Sequence, residues 1–370
     1  MGYSIIASQR NWIEGDAAKQ LADTAKLPGM LEAVGMPDLH PSKGGPVGAA
    51  FASEGRLYPH LVGEDIGCGM ALWQTTMRGG KLKLDRWLKR LNRLEGPWDG
   101  DGQEILRSYE VAATDFDHSL GTIGRGNHFA ELQRVHAVMD AEQFASMGLD
   151  PKALFVLVHS GSRGLGESIL REHIDLCGHG GVDADSDEAR RYLAAHDNAV
   201  IWARANRFAI AQRFMECLGT EGTQALDVTH NNVQCAHCAG RPCWLHRKGA
   251  APSDVGPVVI AGSRGTLSYL VVAEGDQEKN LSTLAHGAGR KWRRSDCKGR
   301  LERRFSREDL QTTDLGGRVI CEDNDLLWEE APQAYKNIDV VVQDLVDAGI
   351  VRCVATFAPL ISYKTRRIER

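Results

Sequence analysis

Asp65 and Cys68 stand three residues apart in Gly63-Glu64-Asp65-Ile66-Gly67-Cys68-Gly69-Met70, with glycine on both sides of the cysteine. That spacing can bring a carboxylate and a thiolate to one point. An isolated pair of this kind is more often a buried cysteine beside a capping aspartate. Four histidines shift the balance, because each sits in a glycine-rich or strand-end setting. His128 lies in Gly124-Arg125-Gly126-Asn127-His128-Phe129 and His159 ends the apolar run Leu154-Phe155-Val156-Leu157-Val158. His230 lies in Leu226-Asp227-Val228-Thr229-His230-Asn231-Asn232, and His286 opens His286-Gly287-Ala288-Gly289-Arg290. Imidazoles with a thiolate and a carboxylate form a metal-ligand set. Donor types alone leave zinc, manganese, iron and cobalt open, and softness with raw affinity favours zinc. The other histidines at 40, 60, 118, 136, 173, 179 and 196 are read as structural. His40 is a partial exception, since Met36-Pro37-Asp38-Leu39-His40 and the glycine-rich 43–48 look like a second loop against the site.

Three further features carry chemistry. Cys235, Cys238, Cys243 and His246 have the spacing of a small zinc knuckle, or form a loop of reduced thiols. The tetrad Gly-Ser-Arg-Gly occurs at 161–164 and again at 262–265. Glycine-freed N–H groups, a hydroxyl and a guanidinium fork suit phosphate oxygens. Behind His286, eight basic residues fall within 290–304 (Arg290, Lys291, Arg293, Arg294, Lys298, Arg300, Arg303 and Arg304), opposed only by Asp296 and Glu302. With Trp292 interleaved, the stretch resembles a surface that tracks a phosphate backbone. Lys364, Arg366, Arg367 and Arg370 add charge at the tail.

Strands must deliver these residues. Leu154–Val158 and Val258–Ile260 are continuous apolar runs that end at the two tetrads, and Ser268 to Ala273 and Ile350 to Phe357 read as further strands. Helices are expected over 14–26, 84–94 (stopped by Gly96-Pro97), 189–217 and 333–347, with 178–188 a surface loop. Strands and helices mix without regular βαβ alternation, so the expected class is α+β, one domain over 1–370 with a mixed sheet core. The chain carries 44 Lys and Arg against 49 Asp and Glu, a net charge of −5, which excludes a polycation that coats nucleic acid by charge alone. No apolar run reaches the ~18 residues of a membrane span. Nine cysteines, an odd number, argue against a secreted disulfide scaffold and for a reduced, cytoplasmic protein.

The chain resembles the RtcB family of GTP- and manganese-dependent RNA ligases. The matching motifs are Met-Pro-Asp-Leu-His at 36–40, Asp-Ile-Gly-Cys-Gly-Met at 65–70, Gly-Asn-His-Phe at 126–129 and His-Ser-Gly-Ser-Arg-Gly at 159–164. Asp-Val-Thr-His-Asn at 227–231, Arg-Lys-Gly-Ala at 247–250, His-Gly-Ala-Gly-Arg at 286–290 and Ala-Tyr-Lys at 334–336 follow in the family's order. It looks most like the compact bacterial branch associated with a release factor H-type protein.

The resemblance implies two manganese ions bridged by Cys68, with Asp65 and His128 on one and His159 and His230 on the other. It implies His286 as the nucleophile that becomes guanylylated. Asn127, Glu131, Ser263, Ser268, Tyr335 and Lys364 fall where members contact the guanine nucleotide. The implied substrates are RNA ends bearing 3′-phosphate or 2′,3′-cyclic phosphate and 5′-hydroxyl, from cleaved tRNA or rRNA. Arg125 stands where the family usually has glycine, and the cysteine-bearing 235–246 is not a general family feature. Taken without the resemblance, the ligands also permit a metal-dependent phosphodiesterase or phosphatase that uses no GTP, or, less readily, a non-catalytic RNA-binding protein.

Overall fold

The computed structural model describes residues 2–80, 82–92, 94–96, 98 and 100–366. Pro97, Arg367 and Arg370, named above, lie outside the described residues. The architecture is α+β, as the unpatterned mix of elements implies. Its larger sheet runs, in spatial order, Val258–Ile260, Ser268–Ala273, Val351–Thr365, Phe129–Val138, Ala153–Ser160, Gly69–Arg78 and Gly222–Thr229. Each neighbouring pair along that path is antiparallel, and Arg318–Cys321 joins Val351–Thr365 in parallel. A second sheet orders Gly2–Ile5, Met30–His40, Val47–Ser53, Arg241–Lys248 and Asn231–Cys238.

Antiparallel pairing fixes where the site forms. Beginnings of strands lie beside ends of their neighbours, so Gly69 pairs with both Ser160 and Thr229, and Phe129 pairs with His159. Cys68 and His128 each precede a strand, His230 follows one, and His159 nears the end of another. Residues up to 162 positions apart in sequence therefore meet at one edge of the sheet. Ala153–Ser160 is buried along its whole length, which explains its unbroken apolar run.

The long helix Asp187–Leu218 packs across this sheet. Ser186 caps it by accepting the Ala189 N–H, and Gly219 closes it in the left-handed conformation, so it exceeds the expected 189–217 slightly at both ends. The loop 178–188 includes a two-residue strand, Val182–Asp183, paired with Arg56–Leu57.

Other boundaries moved for identifiable reasons. The first helix is Gly15–Thr24 rather than 14–26. The helix expected over 84–94 ends at Arg90, where Leu91 leaves helical geometry. The expected 333–347 helix splits into a single turn, Pro332–Ala334, and a helix Ile338–Asp347. Asn337 accepts the Asp339 N–H and starts the second piece, leaving Tyr335 and Lys336 extended between them. The last strand continues to Thr365; Pro359 is tolerated at an irregularity in its pairing. No helix among the described residues is long and apolar enough to cross a membrane.

Candidate active site

Five side chains drawn from four motifs meet at the sheet edge. Cys68 Sγ lies 3.5 Å from His128 Nε2 and 3.2 Å from His159 Nε2, and His159 Nε2 lies 3.3 Å from His230 Nε2. His128 Nε2 is 2.8 Å from Asp65 Oδ2. The donor atoms fall into two compact groups, Asp65–Cys68–His128 and Cys68–His159–His230, with Cys68 common to both. The backbone clamps them. The His230 N–H donates to the Cys68 carbonyl at 2.8 Å, and the Asn231 side chain donates to the Asp65 carbonyl at 3.0 Å. Arg163 takes a positive φ of 54°, unusual for a non-glycine residue, and its N–H donates to Asp65 Oδ1 at 2.6 Å. Gly161 is required where it stands, because a Cβ there would strike the Asp65 carboxylate.

Electrostatics suit dications. Burial, with neighbouring imidazoles and cations, holds His159 and His230 well below the usual histidine range, so both rings are neutral, the form that can ligate a metal. The His159 Nδ1–H faces the Asn127 carbonyl at 3.3 Å, which leaves the Nε2 lone pair turned toward the cluster. Burial acts to raise the Asp65 carboxyl, but His128 and the Arg163 N–H outweigh it and hold it low. Burial and Asp65 push the Cys68 thiol up, a direction that a coordinated cation reverses. Three facing imidazole nitrogens and a sulfur lack a common partner unless a cation supplies one, so the residues fit a two-ion centre bridged by Cys68.

His286 stands beside this cluster, its ring centroid 4.7 Å from that of His230 and 6.5 Å from that of His159. Its Nδ1 is 2.7 Å from Asp38 Oδ2, with the carboxylate off the N–H direction, and its backbone N–H donates to the same oxygen at 3.3 Å. Asp38 is fully buried. It belongs to the 36–40 motif but was given no role from the sequence; a carboxylate between proline and leucine was the available signal. His40 beside it turns its Nδ1 to the Asp38 carbonyl at 2.9 Å.

A cavity of about 1080 Å³ opens here, lined among others by Asp65, Asn127, Glu131, His159, Ser263, His286, Tyr335 and Lys364. Five of the six expected nucleotide contacts thus line one cavity with His286. Ser268 is buried and not among the lining residues, its hydroxyl accepting the N–H of Gly262, which does line the cavity, at 3.2 Å. Glu131 is buried, accepting from Ser362 Oγ at 2.5 Å and from the Gln133 amide at 2.7 Å. Glu330 was not foreseen. Lys364 (Nζ 3.6 Å away) and Arg290 (3.1 Å) hold its carboxyl down at about 2 against the effect of burial, and it accepts the Tyr335 hydroxyl.

Several expected phosphate binders have internal partners instead. The Arg163 guanidinium donates to Thr122 Oγ1 at 2.6 Å and to the Ser119 carbonyl at 2.7 Å, so the first tetrad serves the fold around Asp65. In the second tetrad, Arg264 donates to the Leu327 carbonyl at 2.9 Å while lining the cavity. Arg290 and Lys364 face Glu330, and Arg366 pairs with Glu322 at 2.8 Å, so these cations do not form an outer track. Lys298, Arg300, Arg303 and Arg304 remain exposed, and Arg300 lies over the Trp292 ring. Arg125 is exposed beside Asn127.

The zinc knuckle does not form. Cys235 and Cys238 lie on opposite faces of one strand, and Cys243 and His246 on opposite faces of its partner. His246 Nε2 accepts the Tyr58 N–H at 3.0 Å, while Cys238 and Cys243 approach each other at 2.6 Å as free thiols. His196 likewise has the structural role expected of it, accepting the Val233 N–H at 3.1 Å.

The model of the family described as tRNA-splicing ligase RtcB matches residues 20–100 and 95–365. RNA-splicing ligase RtcB2 of Escherichia coli strain ATCC 25922 is 51% identical over 359 residues, 97% of this chain and 94% of that protein. tRNA-splicing ligase RtcB of Archaeoglobus fulgidus is 29% identical, covering 94% of this chain and 91% of its own length. RNA-splicing ligase RtcB of Escherichia coli K12 is 28% identical, covering 90% and 92%. With a family model spanning most of its length and a relative sharing half its residues, the chain belongs to the RtcB ligase family.

Proposed function

We propose that this protein is an RNA ligase that joins a 3′-phosphate or 2′,3′-cyclic phosphate end to a 5′-hydroxyl end, using GTP and two manganese ions. The observation that carries the proposal is the shared thiolate of two ligand groups with an unligated imidazole, His286, beside them. Asp65, Cys68 and His128 would hold one ion and Cys68, His159 and His230 the other. When bound, such ions offset negative charge on phosphate oxygens.

The chain's own residues supply the rest. The Asp38 carboxylate, 2.7 Å from Nδ1, favours the tautomer with the proton on that nitrogen, which leaves the Nε2 lone pair free to attack. That lone pair displaces pyrophosphate from the α-phosphorus of GTP and gives a histidine–GMP phosphoramidate. GMP passes to the RNA 3′-phosphate, a 5′-hydroxyl attacks that phosphorus, and GMP departs. A 2′,3′-cyclic end is first hydrolysed to the 3′-phosphate. Asn127, Glu131, Ser263, Tyr335 and Lys364 bind the guanine nucleotide in the cavity, with Ser268 fixing the Gly262 turn. Arg264 and the exposed cations of the 290–304 stretch receive RNA phosphates. Cleaved tRNA or rRNA, in repair alongside a release factor H-type protein, is the biological setting in keeping with the resemblance.

The test is incubation with an RNA carrying 3′-phosphate and 5′-hydroxyl ends, GTP and manganese. Sealing that requires both GTP and manganese supports the proposal. Processing of the end without joining, unaffected by GTP, would indicate the phosphodiesterase instead.

A further inference from the structure

The strand Met30–His40 leaves its ladder where it carries Asp38. Gly35 pairs with Ala49 and His40 with Val47, so residues 36–39 bulge away from the partner strand. The peptide groups of that bulge need other partners. His40 Nδ1 faces the Asp38 carbonyl, Asn11 donates to the Pro37 carbonyl at 2.9 Å, and Lys336 serves the carbonyls on both sides. Its Nζ donates to the Pro37 carbonyl at 3.0 Å and to the Leu39 carbonyl at 2.8 Å, one on each side of Asp38. Its backbone N–H donates to the Gly289 carbonyl at 3.0 Å, in the loop that begins at His286. Gly289 is itself packed so tightly that a Cβ there would strike the Asp38 carbonyl. One residue therefore ties the carboxylate's bulge to the nucleophile's loop.

The ammonium is buried, with 8% of Lys336 exposed, and it lies outside the cavity lining. Burying a cation is unfavourable unless its donors are paired. Here two carbonyls pair it; burial pulls the ammonium down to about 8, and the Asp38 and Asp344 carboxylates oppose that fall. Such an arrangement is not needed for packing, which an apolar side chain of that length would satisfy. It is suited to holding a neighbouring carboxylate in place.

We propose that Lys336 is a positioning residue for the ligation chemistry, acting through Asp38 to hold the His286 imidazole in its attacking orientation. The inference rests on the reading of His286 as the guanylylated nucleophile.

The test is rapid-quench measurement of protein–GMP formation from α-labelled GTP with manganese, in the unmutated chain, Lys336→Met, Asp38→Asn and the double variant. Lys336→Met is expected to lower the rate constant roughly 10- to 100-fold, the scale of a small misplacement of reacting groups. Half-saturating GTP, manganese content and the fraction finally labelled should be unchanged. In the Asp38→Asn background the same substitution should slow the reaction no more than about twofold, because the two act as one unit. Lys336→Arg, which keeps the charge and two donors, should recover part of the rate if the methionine variant fails to fold. A lower labelled fraction at an unchanged rate constant would reduce Lys336 to a structural role and overturn the proposal. So would independent, multiplicative effects of the two substitutions, or a folded Lys336→Arg no faster than Lys336→Met. Absence of label on the unmutated chain would remove the reading beneath it, a result separable from any difference among variants.

Discussion

Cys68 touches both ligand groups, so its loss should remove more than one donor's share of metal binding. Cys68→Ala is expected to lose manganese from both positions, measured by metal analysis after gel filtration; full occupancy would exclude the bridge. Asp38 is no member of either ligand group and lies against His286. Asp38→Asn keeps the shape but can donate to Nδ1, which favours the tautomer with its proton on the attacking nitrogen. It should lower the rate of protein–GMP formation by about 10²–10⁴-fold with little change in manganese content. The cluster of Asp65, Cys68, His128, His159 and His230 was legible in the sequence because thiol, carboxylate and imidazole are rare together in glycine-rich turns. Asp38, Glu330 and Lys336 were not, because a buried charge declares itself only through partners brought from distant segments. Arg163 misled for the same reason: its tetrad has the composition of an anion site, while its guanidinium is committed to Thr122 and Ser119.

At the scale of elements, the ends of strands must stay in register for the ligands to meet, and Arg207 of the long helix holds them. It donates to the Gly67 carbonyl at 2.7 Å, to the Ser160 carbonyl at 2.9 Å and to Asp227 Oδ1 at 2.6 Å, and it is fully buried. Three ligand-bearing segments are thereby pinned to one side chain. Arg207→Met should destabilise the fold by about 3 kcal/mol in urea unfolding, because the mostly buried Asp227 and the Gly67 and Ser160 carbonyls lose their partner. A change below about 1 kcal/mol, the range of ordinary surface substitutions, would contradict this. The helix itself was legible from its spacing of Tyr192, Ala203, Ala211 and Phe214. Asn206 and Arg207 lie on that same apolar stripe, and polar residues there were the available signal for a buried hub. The cysteine hairpin shows the converse. Spacing along a chain says little about which face of a strand a residue takes, and pairing in two strands puts Cys238 and Cys243 on one face and Cys235 and His246 on the other.

The whole molecule is acidic by 5 charges, yet residues 290–295, the first part of the basic stretch, line its cavity. Replacing Arg300, Arg303 and Arg304 by alanine should weaken RNA binding without sequence preference. The slope of log affinity against log salt should flatten by up to about 2, near 0.7 for each lost phosphate contact. An unchanged slope would place the RNA elsewhere. Glu330 adds a pH dependence to the fold. Its carboxyl is held at about 2 in the folded chain against an ordinary 4.5, so its contribution is present above about pH 4.5 and is lost as pH falls toward 2. Glu330→Gln should flatten the acid limb of thermal stability between those values, and an acid limb as steep as before would contradict the ion-pair account. Charge totals in the sequence excluded a polycation but could not show which cations face inward, since Arg290, Lys364 and Arg366 find partners only in the folded chain. The central claim is that His286, set between Asp38 and the Cys68-linked ligand groups, carries the nucleotide. The most direct measurement is acid-labile retention of label on the protein after incubation with α-labelled GTP and manganese. Retention of one GMP per chain that disappears in His286→Ala, with manganese content unchanged, is the predicted result. Equal labelling of that variant would contradict it.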